Sequence, residues 1–259
     1  MSAAPILQVS GPILQASGPI LQVTGLGKRF GGFVALADVE LEVARGERVG
    51  LIGPNGSGKS TLVNCLCGTL RNETGSVRFE GMVLDGTPAH QRTRLGLART
   101  FQLPRPFGTL TLAENVRIPI LYAVQTREGG SRLDIDQRCE ALLEMVGLAA
   151  KAARLPKDLT QIEMRKLELA RAMAAEPRLL IADEAMAGLS HGEVDDILAL
   201  LVRLNQEQGI TIILIEHIMR AVLSFSQRLV VLVAGRKIAD GAPQDVVRQD
   251  DVVAAYLGS

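Results

Sequence analysis

The chain has 259 residues, of which 47% are hydrophobic, with 28 basic and 28 acidic side chains and a pI of about 6.8. This length and apolar content predict one large globular α/β domain, or a domain plus a subdomain, with a sizeable core. Balanced charge excludes a bulk positive field, so nucleic acid is not expected as a partner. Three cysteines do not make a disulfide framework, and no apolar run reaches the roughly 18–20 residues of a membrane-spanning helix.

The N-terminal segment is an internal repeat. Residues 5–11, 12–18 and 19–25 share one apolar pattern that begins with proline and ends with glycine. Only the third copy continues into a longer segment, which ends at Phe30. We therefore predict a poorly ordered extension over residues 1–18 and a folded domain over residues 19–259.

A glycine-rich stretch, GPNGSGKST, fits the spacing of a phosphate-binding loop. A short apolar run before it predicts a buried strand, and a helical apolar period after it predicts a helix over residues 59–70. This order places backbone N–H groups and the positive end of a helix around a phosphate. The alternative is a glycine-rich turn before an ordinary helix, which the flanking pattern disfavours. The predicted nucleotide-binding residues are Gly53, Pro54, Asn55, Gly56, Ser57, Gly58, Lys59, Ser60 and Thr61.

Within this loop, two residues have distinct chemical roles. The Lys59 ammonium would reach the β- and γ-phosphates of a nucleotide, and the Ser60 hydroxyl would bind Mg²⁺. ATP and Mg²⁺ are therefore the expected ligands.

The apolar pattern also predicts the overall architecture. Alternating residues over 34–49 and 75–81 indicate antiparallel strands, whereas residues 103–175 show helical periods with capping boxes. Continuous apolar runs then return and alternate with a helix, which is typical of a parallel sheet covered on both faces. The predicted fold is an α/β P-loop NTPase (RecA-like) parallel-sheet core, residues 19–102 and 176–259. An antiparallel β layer and a helical subdomain inserted at 103–175 complete it.

Polar residues follow the apolar runs where strands of a parallel sheet would end, which is where such sheets bind ligands. Asp183 would hold Mg²⁺ through its water shell. Glu184 would orient and deprotonate a water that attacks the γ-phosphate. His217, after the next strand, would hydrogen-bond that phosphate. Without the glycine-rich loop, a solvated acidic pair and a turn histidine would be the better interpretation.

The order of motifs resembles an ATP-binding cassette ATPase across nearly the whole chain after residue 19. The matching features are Phe30, the glycine-rich loop, Arg99-Thr100-Phe101-Gln102, residues 159–163, residues 179–184 and Glu216-His217. More narrowly, residues 99–102, Glu216-His217 and the ending Ala255-Tyr256-Leu257-Gly258 are similar to one of the two ATPases of branched-chain amino acid (Liv-type) importers.

The resemblance implies further roles for individual residues. Phe30 would stack on adenine, with a core aromatic as the alternative. Gln102 would sense Mg²⁺ and the γ-phosphate, next to the surface that receives a permease helix. Thr160, in the signature segment, would contact the nucleotide of a second ATPase subunit.

The resemblance also implies partners. Two subunits would close head to tail around two ATP molecules, as a heterodimer or a homodimer, on two transmembrane permeases. A periplasmic or extracellular solute-binding protein would act indirectly. The chain would then be peripheral, on the cytoplasmic face of the inner membrane.

The signature segment departs from the family pattern. Leu159-Thr160-Gln161-Ile162-Glu163 replaces the usual Leu-Ser-x-Gly-Gln. Thr160 keeps a hydroxyl, but Ile162 replaces the glycine that lets the backbone approach a phosphate. Glu163 adds negative charge unless its capping-box role turns it back to its own helix. The following Ala187–Ser190 segment lacks the usual aspartate, and Ala185 stands where proline is common. We therefore expect an asymmetric pair of ATPase subunits.

Two other functions stay open at this point. One is a regulatory nucleotide-binding subunit with little hydrolysis, which the altered signature favours and Glu184 disfavours. The other is a soluble cassette ATPase of translation or DNA repair, although such proteins usually carry two cassettes or a long coiled-coil insertion. The transported solute is not readable from this chain.

Overall fold

The computed structural model describes residues 18–124 and 134–257, so the predicted extension lies outside the described residues apart from Gly18. The strands are β1 (Leu21–Phe30), β2 (Phe33–Val43), β3 (Arg48–Ile52), β4 (Thr74–Phe79), β5 (Met82–Val83), β6 (Leu97–Arg99), β7 (Leu179–Asp183), β8 (Thr211–Ile215), β9 (Arg228–Val233) and β10 (Arg236–Gly241). The helices are α1 (Lys59–Leu66), α2 (Ala89–Arg94), α3 (Leu112–Pro119), α4 (Ile135–Met145), α5 (Gln161–Met173), α6 (His191–Gln208), α7 (Met219–Phe225), α8 (Pro243–Val246) and α9 (Asp250–Leu257). Short turns of other helix types cover Ile120–Val124, Ala149–Lys151 and Pro156–Asp158.

A six-stranded sheet in the order β10-β9-β3-β8-β7-β6 forms the centre of the molecule. Strands β9, β3, β8, β7 and β6 are parallel, and β10 joins the edge in antiparallel orientation. Every residue of β7 and β8 is buried, which is why their sequences are continuous apolar runs rather than alternating ones. The predicted parallel sheet is confirmed.

A second, four-stranded antiparallel sheet has the order β2-β1-β4-β5. In β2, Val39, Leu41 and Val43 are buried while the residues between them are exposed, as the alternation predicts. The buried side chains of this layer share one apolar cluster with α1 and with residues of β3, β7 and β8. This packing fixes the layer against the parallel sheet.

Helices α3, α4 and α5 contact one another in the segment predicted to be helical. The capping boxes of Thr111 with Glu114 and Thr160 with Glu163 are both formed. The apolar face of α4 is buried in a cluster that also contains residues of β6, β7 and α6. Since this core is shared with the sheet, the limits 103 and 175 of a separate subdomain stay a prediction.

The prediction that the first helix reaches residue 70 is wrong, because α1 ends at Leu66. Gly68 follows with a φ of +75°, in the left-handed region. The buried Arg92 guanidinium donates hydrogen bonds of 2.8 Å to the carbonyl oxygens of Cys65 and Leu66. These bonds satisfy the last carbonyls of α1 that the helix itself leaves free. The helix therefore stops where a distant arginine caps it.

Candidate functional site

The carboxyl ends of β3, β7 and β8 meet at one edge of the central sheet, with β8 in the middle. The glycine-rich loop follows β3, Glu184 follows β7, and Glu216-His217 follow β8. Neighbouring parallel strands all point the same way, so these segments are adjacent in space.

Two glycines of the loop lie too close to neighbouring strands to carry a side chain. A Cβ added at Gly53 would lie 2.1 Å from the carbonyl oxygen of Leu232, and one at Gly58 would lie 2.6 Å from that of Ala35. Gly58 also has a φ of +102°, which favours glycine. The loop is therefore clamped between β2 and β9, with the first turn of α1 behind it.

Lys59 is buried, and its ammonium group is bound inside the loop. Its Nζ donates hydrogen bonds to the carbonyl oxygens of Gly53 at 2.7 Å and Pro54 at 3.1 Å. Burial lowers the pKa of Lys59, while the nearby charges of Glu184 and Asp183 act to raise it. The lysine and the two acidic side chains thus belong to one electrostatic site.

Asp183 is the buried last residue of β7. Its backbone N–H donates to the Thr100 hydroxyl at 3.1 Å, and its Oδ2 accepts from Arg99 at 2.7 Å. Burial raises the pKa of Asp183, and the Arg99 charge and hydrogen bond oppose that rise. Arg99 thus acts against the effect of burial on this carboxyl group at the strand end.

Glu184 has a φ of +47°, which is unusual for a residue other than glycine, and its N–H donates to the Ile215 carbonyl at 2.9 Å. Its Oε1 lies 2.9 Å from His217 Nε2, and its Oε2 accepts a hydrogen bond from the Gln102 side chain. The three residues predicted to be catalytic are therefore in direct contact. Both carboxylate oxygens are engaged.

Phe30 lies at the end of β1 and is 48% exposed, with the Lys28 ammonium 5.4 Å from the centre of its ring. This exposure argues against the alternative that Phe30 is a core aromatic. The ring offers a free face for stacking, and its contact with adenine stays a prediction.

Thr160 is the N-cap of α5, and its hydrogen bonds join it to Glu163 of its own helix. Glu163 accepts from the Thr160 N–H at 3.0 Å and from Lys151 Nζ at 2.6 Å. The Lys151 contact and this N–H hold the pKa of Glu163 below its usual range. The carboxylate is thus turned back onto its helix, as its capping-box role allows. Ile162 is partly buried against the apolar cluster of the helices.

Sequence analysis gave no separate role to Glu216 or Arg165. Glu216 is 3% exposed, and its Oε1 accepts from the Met186 N–H at 2.8 Å, which ties the segment after Glu184 to β8. Arg165 donates to the carbonyl oxygens of Gln102 at 2.5 Å and Ala187 at 3.1 Å. Both residues hold backbone that carries site residues, a function with no local sequence signal.

The C-terminal helix also reaches the loop. Val252 of α9 is buried in a cluster with Ile52, the residue before Gly53. Burial raises the pKa of the Tyr256 phenol, and the nearby backbone of Gly53 opposes that rise. Helix α9, which carries Tyr256 of the C-terminal motif, therefore lies beside the strand that leads into the loop and contacts β10.

A surface groove of about 210 Å³ lies next to Gln102, between β6, α2, α3 and α5. Arg99, Phe101 and Pro119 are among its lining residues. Leu103 is 70% exposed nearby in sequence, and Phe107 is exposed as well. Phe101 and Pro119 thus contribute apolar surface to the groove, beside the charged side chains of Arg99, Glu168 and Arg171. Across residues 18–124 and 134–257, the structure contains no helix with the length and apolarity to cross a membrane.

A parallel sheet with a glycine-rich loop after one strand and an acidic pair after another defines a P-loop nucleoside triphosphatase. Residues 36–187 match the family model described as ABC transporter. The chain belongs to this family and is an ATP-binding, ATP-hydrolysing subunit. Residues 236–259 match a second model, described as branched-chain amino acid ATP-binding cassette transporter.

Similar proteins agree with this assignment. The branched-chain amino acid transport ATP-binding protein BraF of Pseudomonas aeruginosa is 39% identical over 91% of this chain and 96% of its own length. LivG of Escherichia coli strain K12, of the same description, is 37% identical over 90% of this chain and 96% of its own. A nucleotide-free ATP-binding cassette from an ABC transporter superimposes with a TM-score of 0.83 at 30% identity, covering 93% of this chain and all of that chain. The resemblance seen in the motifs is confirmed.

Proposed function

We propose that this chain hydrolyses Mg²⁺-ATP at the sheet edge described above and thereby energises an importer for branched-chain amino acids or a related small polar solute. The observation that carries the proposal is the contact of Glu184 with both Gln102 and His217, beside Lys59 and Asp183. A loop, a metal carboxylate, a base and two γ-phosphate contacts are the parts that phosphoryl transfer needs.

The residues present suit the proposed ligands. The loop backbone and Lys59 would bind phosphate oxygens, with Lys59 exchanging its carbonyl partners for phosphate. Ser60, Asp183 and Gln102 offer oxygen donors, which Mg²⁺ prefers. When bound, Mg²⁺ would neutralise charge on the phosphates. Glu184 would take the proton of the attacking water on a lone pair that its contacts with Gln102 and His217 leave free, since an ionised carboxylate has about four acceptor sites.

The test is Glu184→Gln in the purified chain. We expect hydrolysis to fall by about 10²–10⁴-fold, since a general base typically contributes that much. Affinity for a fluorescent ATP analogue should persist, and unhydrolysed ATP should be trapped in a closed dimer.

The matched control is Glu193→Gln, which removes a capping-box carboxylate from α6. It should leave hydrolysis near the parent rate. A regulatory subunit, the alternative function, would show almost no change of its low activity with Glu184→Gln, and that result would contradict the proposal.

We further propose that two permeases and a second ATPase subunit are the partners, with the chain peripheral on the cytoplasmic face of the inner membrane. The groove next to Gln102 supports permease binding, because Phe101, which lines it, is 42% exposed. The solute class rests on the names of the relatives and on the match of the C-terminal residues. A solute-binding protein would act indirectly, through the permeases.

We propose that the pair of ATPase subunits is asymmetric. The signature helix α5 carries Ile162 in its first turn, where close backbone approach needs glycine. At this helix N-terminus the N–H groups of Thr160 and Glu163 donate to each other's side chains. Fewer N–H groups are therefore free to bind a phosphate. The site that contains this signature would hydrolyse ATP more slowly than the site that contains Glu184.

A further inference from the structure

Arg99, the last residue of β6, contacts three separate elements of the site. Its guanidinium donates to Asp183 Oδ2 on β7 at 2.7 Å and to Asn64 Oδ1 on α1 at 2.6 Å. The same group lies 5.4 Å from the ring centre of Phe101. The guanidinium therefore bridges the aspartate and the helix that follows the glycine-rich loop.

The position of Asn64 on its helix is significant. Asn64 lies four residues after Ser60, and residues with this separation share one face of an α-helix. Arg99 therefore joins Asp183 to the face of α1 that carries Ser60. These two residues are the proposed oxygen donors for Mg²⁺ from different elements.

The bridge lies away from bulk water. The Arg99 side chain is 15% exposed and that of Asp183 is 8% exposed. A charged pair that is shielded in this way is rigid, since breaking it leaves a poorly solvated charge without a partner. The planar guanidinium also fixes the angle between its two acceptors, which a lysine ammonium on a flexible stem does not.

We propose that Arg99 is a positioning residue of the Mg²⁺ site, which sets the distance and orientation of the Asp183 carboxylate relative to the Ser60 face of α1. This inference rests on the proposed metal role of Asp183. Residues that orient a metal ligand without touching the metal typically change metal affinity by about 10–100-fold when they are removed.

Arg99 also lines the groove proposed for the permease, as does Phe101 beneath its guanidinium. A segment bound in that groove would therefore press on the same side chain that orients Asp183. The positioning role itself does not depend on a permease, so it can be measured on the purified chain.

The experiment compares Arg99→Met and Arg99→Lys with the parent chain. Binding of a fluorescent ATP analogue is measured as Mg²⁺ is titrated, and again in EDTA. Mg²⁺ should enhance binding of the analogue, and we expect Arg99→Met to raise the Mg²⁺ concentration that gives half of this enhancement by about 10–100-fold. The affinity for the analogue in EDTA should be unchanged. Arg99→Lys should lie between Arg99→Met and the parent, because a single ammonium keeps the charge but not the two fixed bonds.

Arg48→Met is the matched control. Arg48 donates to an asparagine, Asn205, at 2.9 Å and lies 5.7 Å from the Phe225 ring centre. It thus resembles Arg99 in its contacts, but it begins β3 at the opposite end of the sheet from the glycine-rich loop. This variant should lower thermal stability without altering the Mg²⁺ dependence.

Asp183→Asn separates the inference from the function on which it rests. If Asp183→Asn weakens the Mg²⁺ dependence and both Arg99 variants match Arg48→Met, the positioning role is wrong while the metal role stands. A lower half-maximal Mg²⁺ concentration in Arg99→Met than in the parent would also overturn the inference, since it would mean that Arg99 competes with the metal for Asp183. If Asp183→Asn has no effect, both the metal assignment and the inference fail.

Discussion

Ile162 and Glu163 are the residues in which this chain departs most from its family, and the structure separates their effects. Glu163 pairs with Lys151 at 2.6 Å and accepts from the Thr160 N–H, so both of its carboxylate oxygens are engaged within its own chain. Ile162 has no such compensation. Its side chain packs against the helical cluster, and its Cβ stays on the first turn of α5.

We predict that Ile162→Gly raises ATP hydrolysis of the assembled pair of ATPase subunits. A backbone N–H brought to the γ-phosphate is worth up to about 10²–10³ in rate at one site, by comparison with other oxyanion donors. Steady-state hydrolysis by the reconstituted pair measures the effect. Ile162→Ala is the control, because it removes bulk but keeps the Cβ. Equal rates for both variants and the parent would contradict the role given to this position.

At the scale of elements, the loop and its helix are held by contacts from distant segments. Arg92 of α2 donates to carbonyl oxygens at the end of α1 and, at 2.7 Å and 2.9 Å, to those of Leu84 and Thr87. The side chain is 3% exposed. The carbonyl oxygens of Cys65 and Leu84 also accept from backbone N–H groups, so loss of Arg92 would remove the donor from those of Leu66 and Thr87.

We predict that Arg92→Met lowers the free energy of unfolding by about 1–3 kcal/mol, the cost of buried acceptors left without partners. Arg94→Met on the same helix is the control, since Arg94 is exposed, and it should stay within about 0.5 kcal/mol of the parent. Urea unfolding followed by circular dichroism measures both. If Arg92→Met lowers the free energy of unfolding no more than Arg94→Met does, the hydrogen bonds of Arg92 to the end of α1 are dispensable for stability.

The elements that sequence analysis predicted well are those with local signals. The capping boxes involve residues three apart, and the glycine-rich loop is one continuous motif, so each was readable without tertiary information. β6 was missed because three residues are too few to show a period, although this strand carries Arg99. The end of α1 was misplaced because Arg92 lies 26 residues away from Leu66.

In the candidate site, too, the residues that the sequence predicts are those with a local signal. Asp183, Glu184 and His217 were predicted together because each follows a buried strand of a parallel sheet. The direction of the Glu163 carboxylate depends on Lys151, and the bridge from Arg99 to Asn64 depends on how β6 packs beside α1. Neither is encoded in local spacing. Phe30 and Thr160 keep roles that rest on family resemblance.

At the scale of the whole molecule, Gln102 belongs to the site and directly follows Phe101, which lines the groove. Its side chain contacts Glu184, and its backbone carbonyl accepts from Arg165 of α5. A movement of α5 relative to the sheet would therefore change the contact of Gln102 with the proposed base. This geometry supports coupling between a permease in the groove and hydrolysis at Glu184.

The transporter assignment can be tested by purifying the tagged chain from its host's membranes in mild detergent and identifying every protein that copurifies. We expect two polytopic permeases and a second, similar ATPase. Phe101→Ser in the groove should reduce this recovery, while Leu223→Ser, which changes an exposed apolar residue on α7, should not. Recovery of a soluble homodimer, ribosomes or DNA-repair factors instead would contradict the transporter assignment and leave only the ATPase chemistry.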